Sequence, residues 1–358
     1  DQMKKILKVA LAAMMTVGLA ACSGTTDDTA SVTYGFVTDT GGINDRSFNQ
    51  TSWEGLKRYC EEAGLVENQD YSYVISEKES DYVPNLTGFA GQRDLIVAAG
   101  YLFEGAIAET ADQYPEQKML IIDVESLDVD KYTNVQQAVF NEHEGSYLVG
   151  VAAAKMAEKA GKDTVGFIIG MESETMNKFW AGYQQGVYSV NPNMTILYDN
   201  VNDFSSQEKG KAAASKQYDA GAYVIYHAAG GSGMGAISEA AARREAGEDV
   251  WVIGVDTDQY EYGKYGDGTQ SAVLTSMLKR VDTAAYNAAK AVAEGTFEGG
   301  IVRYSLADGG VGIPDENPNM PDDVREAVDE AYNAIKDGTV TVSETYVKRS
   351  EERRVGKE

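Results

Sequence analysis

The chain has 358 residues, 43% of them hydrophobic, enough to fill the cores of two domains of ordinary size. Its 56 Asp plus Glu against 31 Lys plus Arg give a formal charge of −25, which repels a nucleic-acid polymer instead of steering it in. Two cysteines and two histidines supply neither a disulfide framework nor the donor cluster of a dedicated metal site, so neither metal nor cofactor is expected.

From Met3 a basic start (Lys4, Lys5, Lys8) leads into an apolar run over 9–21, shorter than the roughly 20 residues a spanning helix needs. That is the pattern of a cleaved secretory signal, residues 1–21, with Asp1 and Gln2 reading as a vector-derived addition. Leu19-Ala20-Ala21-Cys22 resembles a bacterial lipobox, which implies a lipidated Cys22 and a protein anchored to the cell membrane facing out of the cytoplasm. Residues 22–31 are small and polar, suited to a flexible tether. The other cysteine, Cys60, is expected as a buried thiol on an amphipathic helix.

Past the tether, short β-branched runs alternate with helix-length segments. Strands are predicted at 32–37, 71–75, 95–98, 119–122, 164–169, 195–198, 223–226 and 250–255, with a further one at 272–276. Helices are predicted at 48–63, 145–160, 178–190, 207–220 and 237–246, with stop signals at Gly64, Gly161 and Gly221. The alternation predicts parallel sheets covered on both faces, an α/β fold. The pattern restarts at Thr164 after a long helix, which predicts two doubly wound lobes and a ligand cleft between them. The lobes are expected at 32–140 plus about 257–306, and at 141–256 plus about 307–347. Crossovers fall near 140–144, 256–270 and 307–313, and residues 348–358 form a solvated tail or vector remnant.

In open α/β sheets ligands bind beyond the carboxyl ends of the strands. After the first strand stands D-T-G-G-I-N-D-R-S-F-N (39–49), where an aromatic, amides and carboxylates crowd a glycine turn. A glycine turn with a helix N-cap is the bland alternative for this segment. Asn44 and Asp45 suit the polar edge of a base, and Asn49 stands beside them. Asp39 either orients the turn or touches ligand. Phe48 and Phe179, from opposite lobes, would sandwich a flat heterocycle. Asp123 and Asp256 each end a strand and suit sugar hydroxyls, while Lys279 would donate to ribose or ring nitrogen and balance them. For each, a core aromatic, a loop carboxylate or a surface lysine is the competing assignment.

The segment 39–49 resembles the opening signature of the basic membrane lipoprotein family, substrate-binding lipoproteins resembling purine nucleoside receptors of ABC transporters. Similar stretches follow in order: A-A-G-Y-L-F (98–103), I-I-D-V (121–124), G-F-I-I-G-M (166–171), F-W-A-G-Y (179–183), A-A-G-G-S-G (228–233), G-V-D-T-D-Q (254–259) and S-M-L-K (276–279). Glu172-Ser173-Glu174 departs from the family, which often has proline after its G-M pair. The resemblance implies a type I periplasmic-binding-protein fold, a monomer without enzymatic activity that captures guanosine, inosine or adenosine and hands it to an ABC permease. It points to Asp39, Asn44, Asp45, Phe48, Asn49, Gly100, Asp123, Phe179, Gly230, Gly231, Asp256 and Lys279 as ligand-binding residues. The absence of a Lys/Arg cluster at these strand ends favours a neutral nucleoside over a nucleotide. A sugar receptor of the same fold and a sensory or surface lipoprotein without transport are the rival readings. G-S-G-M-G-A (231–236) also satisfies a dinucleotide fingerprint, but on the seventh strand and in an exported protein.

Overall fold

The computed structural model describes residues 30–346; the signal segment, Cys22 and most of its tether, and the charged tail lie outside the described residues. The first series runs β1 (Tyr34–Val37), α1 (Phe48–Glu62), β2 (Tyr71–Val74), α2 (Tyr82–Phe89), β3 (Leu95–Ala98), α3 (Glu104–Gln113), β4 (Lys118–Ile122) and β5 (Val135–Phe140). A second follows: α4 (Glu142–Lys159), β6 (Thr164–Ile169), α5 (Glu174–Val190), β7 (Thr195–Asn200), α6 (Gln207–Asp219), β8 (Val224–Ala228), α7 (Gly230–Glu245) and β9 (Trp251–Asp256). The chain closes with β10 (Lys264–Tyr265), β11 (Gln270–Ser271), β12 (Val273–Lys279), α8 (Val281–Glu294), β13 (Gly300–Tyr304), β14 (Val311–Gly312) and α9 (Asp322–Lys336).

Two six-stranded sheets result, ordered β13-β5-β4-β3-β1-β2 and β14-β12-β9-β8-β6-β7. Within them every pairing is parallel except β12 with β14. Helices cover both faces, so β1 and β3 are buried at every residue, as their unbroken apolar composition requires. The two orders superpose position for position, so β4 and β9 are equivalent strands, as are β1 and β6.

The chain passes between the sheets three times: at 140–142, at 279–281, and between β13 and β14. The second passage differs from the expected change near 256–270. Residues 257–279 stay with the second sheet because Val252 N–H reaches the Ala272 carbonyl at 3.0 Å and β12 then runs parallel to β9. Only after Arg280 does α8 return to α1, where Arg58 meets Asp282 at 3.3 Å and Tyr34 hydroxyl donates to the Ala289 carbonyl at 2.8 Å. Five strands, β5, β10, β11, β13 and β14, escape the hydrophobic pattern. Gln137 in β5 is buried because its amide bonds both the N–H and the carbonyl of Leu127. The edge strand β13 alternates exposed and half-buried residues. Cys60 is wholly buried in α1, and burial pushes its thiol up to about 12.

Candidate functional site

The carboxyl ends of the two sheets face one another across a cavity of about 500 Å³ of non-atom space, part of it continuous with solvent. Ten of the twelve expected residues line it: Asp39, Asp45, Phe48, Asn49, Gly100, Asp123, Phe179, Gly230, Asp256 and Lys279.

The loop after β1 is built on carboxylates. Asp45 accepts from the N–H groups of Ser47 (3.0 Å), Asn49 (2.8 Å) and Gln50 (3.0 Å), so it caps the start of α1 while lining the cavity. Asn49 braces it, donating to Asp45 at 3.0 Å and to Asp39 at 2.7 Å and accepting from Asp39 N–H at 3.1 Å. Turn and ligand wall are therefore one structure. Because Asp45 turns inward to cap, its neighbour Asn44 is exposed and does not line the cavity, a departure from its expected place at a base edge.

Lys279, at the end of β12, is 1% exposed. Its ammonium lies 2.7 Å from Asp123 Oδ2 and 3.0 Å from Glu142 Oε1. The ring centroids of Phe48, Phe179 and Phe140 stand 5.2, 5.4 and 5.4 Å away. Burial pulls the lysine down, but Asp123, Glu142 and Asp256 outweigh it and hold the ammonium above the ordinary lysine value. Phe48 begins α1 and Phe179 sits in α5, equivalent helices of the two sheets, so the rings approach one place from opposite sides. Ser173, within the departure from the family pattern, caps α5 by accepting Met176 N–H at 3.0 Å and so aims that helix at the cavity.

Asp123 lines the cavity, and its Oδ1 is buried with no hydrogen-bond partner. Asp256 accepts from Ser47 Oγ across the lobes. Burial pushes Asp256 up to about 7, against the pull of Lys279 and Ser47, and Asp39 up to about 6, against its bonds from Asn49 and Gly41.

The glycine run forms the first turns of α7, which begins at Gly230, earlier than the expected 237. Gly230 lines the cavity; Gly231 sits just outside it, where a Cβ would fall 3.0 Å from the Phe204 carbonyl. Sequence reasoning missed Tyr101, Met176, Phe204 and Glu142. Tyr101 and Phe204 meet edge to face at 6.4 Å. A lone aromatic among polar residues beyond a strand end was the available signal for Phe204. Glu142 faces Lys279 but none of its oxygens receives a hydrogen bond, and burial raises its pKa. Among the described residues no group of His, Cys, Asp or Glu is arranged to hold a metal ion, and no helix is long and apolar enough to cross a membrane.

Residues 32–345 match the family model Bmp, described as ABC transporter substrate-binding protein PnrA-like. A CD4+ T-cell-stimulating antigen of Listeria innocua is 38% identical, over 95% of this chain and 99% of its own length. The ABC transporter nucleoside-binding protein BmpA of Lactococcus lactis is also 38% identical, with the same coverage of 95% and 99%. A solved ABC transporter solute-binding protein from Aeropyrum pernix K1 superposes with a TM-score of 0.79 at 26% identity, covering 91% of this chain and 97% of that one. The fold is that of periplasmic-binding-protein-type solute receptors.

Proposed function

The chain belongs to the Bmp family of PnrA-like ABC transporter substrate-binding proteins, and from that membership we propose that it captures purine nucleosides between its lobes and delivers them to an ABC permease. The observation that carries this reading is the convergence of Phe48 and Phe179 from equivalent helices on the place held by Lys279 and Asp123. Two phenyl rings suit the faces of a heterocycle, with stacking of roughly 1–3 kcal/mol per base. The unpartnered Asp123 Oδ1 accepts a hydroxyl or ring N–H, and Asp256 and Lys279 lie beside it.

Charge supports a neutral ligand. Lys279 is already met by three carboxylates, so a phosphate finds no uncompensated cation in the cavity and meets Asp39, Asp45 and Asp256 instead. The similarity to the nucleoside-binding protein BmpA of Lactococcus lactis supports nucleosides as the class. No group in the site need react with the ligand; the lobes bind by closing and release by opening. The lobes comprise 32–140 with 280–304, and 141–279 with 305–346, following the strand pairings. We assign the anchor to a lipidated Cys22, with the protein acting outside the cytoplasm as a monomer. Calorimetric titration with guanosine, inosine, adenosine, their monophosphates and free sugars tests the reading. Nucleosides should bind tightest; tighter binding of a monophosphate or of a sugar overturns it.

A further inference from the structure

Gln259, in the loop after β9, is wholly buried and uses its whole amide. Its Oε1 accepts from Val255 N–H at 2.9 Å and lies 2.9 Å from His227 Nε2. Its Nε2 donates to the Arg46 carbonyl at 2.9 Å, and its own N–H donates to Ser276 Oγ at 3.0 Å. A backbone N–H can only donate, so the amide oxygen must face Val255 and the NH₂ must face Arg46. His227 Nδ1 accepts from Ala229 N–H at 3.3 Å, which puts the imidazole proton on Nε2, pointing at Gln259. The histidine thus holds the amide in one orientation.

The sequence keeps space for this pair. A Cβ at Gly254 would fall 2.6 Å from Gln259 Oε1, and one at Gly233 would fall 2.0 Å from His227 Nδ1. Gly233 belongs to the fingerprint-like run, and housing His227 is what that glycine does. Arg46 stands on the first lobe, with a left-handed φ of 54°, between Asp45 of the cavity wall and Ser47, the donor to Asp256. Gln259 stands on the second lobe and does not line the cavity.

We propose that Gln259, aimed by His227, is a positioning residue that locks the two lobes together without touching ligand. It grips the main chain of the loop carrying Asp45 and Ser47, so the grip needs neither a particular side chain at 46 nor any ligand atom. The lock therefore slows release of whatever the cavity holds and leaves the choice among ligands unchanged. This rests on the two-lobed binding reading above.

The test joins stopped-flow release of guanosine and adenosine with small-angle scattering of the ligand-free chain, for the parent, Gln259→Met and His227→Phe. In Gln259→Met, release of both nucleosides should be at least about tenfold faster, with their affinity ratio unchanged and the ligand-free radius of gyration larger. His227→Phe should move both readouts in the same direction by less, since the amide is then free to turn. Folded variants with unchanged release and unchanged radius overturn the proposal. An altered affinity ratio overturns it too, by making Gln259 a ligand contact. If Gln259→Met fails to fold, unchanged release in His227→Phe is the overturning result. If the parent binds no nucleoside, the binding reading fails separately, and the scattering comparison still decides the lock because it uses no ligand.

Discussion

Asp123 and Asp256 hold the same position in the two lobes: one follows β4, the other ends β9, and both have left-handed backbones, with φ of 70° and 69°. Such a conformation is costly for a residue with a Cβ and persists where surrounding structure fixes it. Here it turns each carboxylate from its sheet into the cavity, where both act on Lys279. Two structurally equivalent acids thus face one ammonium, one from each side of the cleft.

Removing that ammonium should be expensive. Lys279→Met leaves Asp123, Glu142 and Asp256 buried together, and the folded state should lose about 3–5 kcal/mol in urea denaturation. Adding Glu142→Gln should recover part of the loss, because one of the stranded carboxylates is then neutral. A double variant no more stable than the single one contradicts the account.

The two phenylalanines should act on the base alone. Phe48→Ala or Phe179→Ala is expected to weaken nucleoside binding by about 1–3 kcal/mol, roughly 5- to 150-fold in Kd, by calorimetry. Binding of ribose should hardly change, since it has no base to clamp. Parent-like nucleoside affinity in both folded variants removes the stacking mechanism.

The loop after β1 distinguishes what the sequence suggested from where the atoms are. Asn44→Ala should leave affinity within about twofold, because Asn44 is exposed outside the cavity. Phe204→Ala should weaken binding by about 1 kcal/mol through loss of the aromatic wall with Tyr101. The same calorimetric panel reads both.

Stability should depend on pH in two opposing ways. Asp256, raised to about 7, keeps a proton in the native state that the unfolded chain gives up near pH 4, so its contribution falls as pH rises through that window. His143 and His227 are held down to about 4 by burial, so below about pH 6.5 the unfolded chain binds more protons and stability falls with acid. Asp39, raised to about 6, acts in the same sense as Asp256, so the opposing effects offset and the melting temperature of the parent should change little between about pH 4 and 7. Asp256→Asn should gain stability relative to the parent as pH rises from about 5 to 7, and a difference that does not change with pH counts against the buried acid.

The anchor proposed at Cys22 should be separable from the site. Cys22→Ser should release the protein from the membrane fraction of cells expressing it while leaving nucleoside affinity unchanged. Persistence in the membrane pellet means the apolar segment itself holds the chain there.

Local signals carried much of the architecture. Unbroken apolar runs at β1, β3, β4, β6 and β9 marked strands buried on both faces, because a parallel sheet between helices tolerates little else. The strand ends marked the cavity, because ligands sit where parallel strands deliver polar residues together. A glycine–carboxylate segment such as 39–49, and the acids at 123 and 256, are legible for that reason. The second crossover was not. Residues 257–279 stay with the second sheet through hydrogen bonds to strands far away in sequence, and composition shows no break there. Strand β5 was hidden by a glutamine whose burial depends on Leu127. Side-chain direction was likewise a tertiary matter: Asp45 faces inward to cap a helix and Asn44 therefore faces out, though adjacent residues read alike. Glu142 acquires its role only from Lys279, distant in sequence and packed against it, and Phe204 and the His227–Gln259 pair acquire theirs from what lies opposite them across the cleft. Sequence determined which segments become strands and which chemistry gathers at their ends; the pairing of the two lobes decided which of those groups meet, because burial and partnership are properties of the packed pair and not of either residue alone.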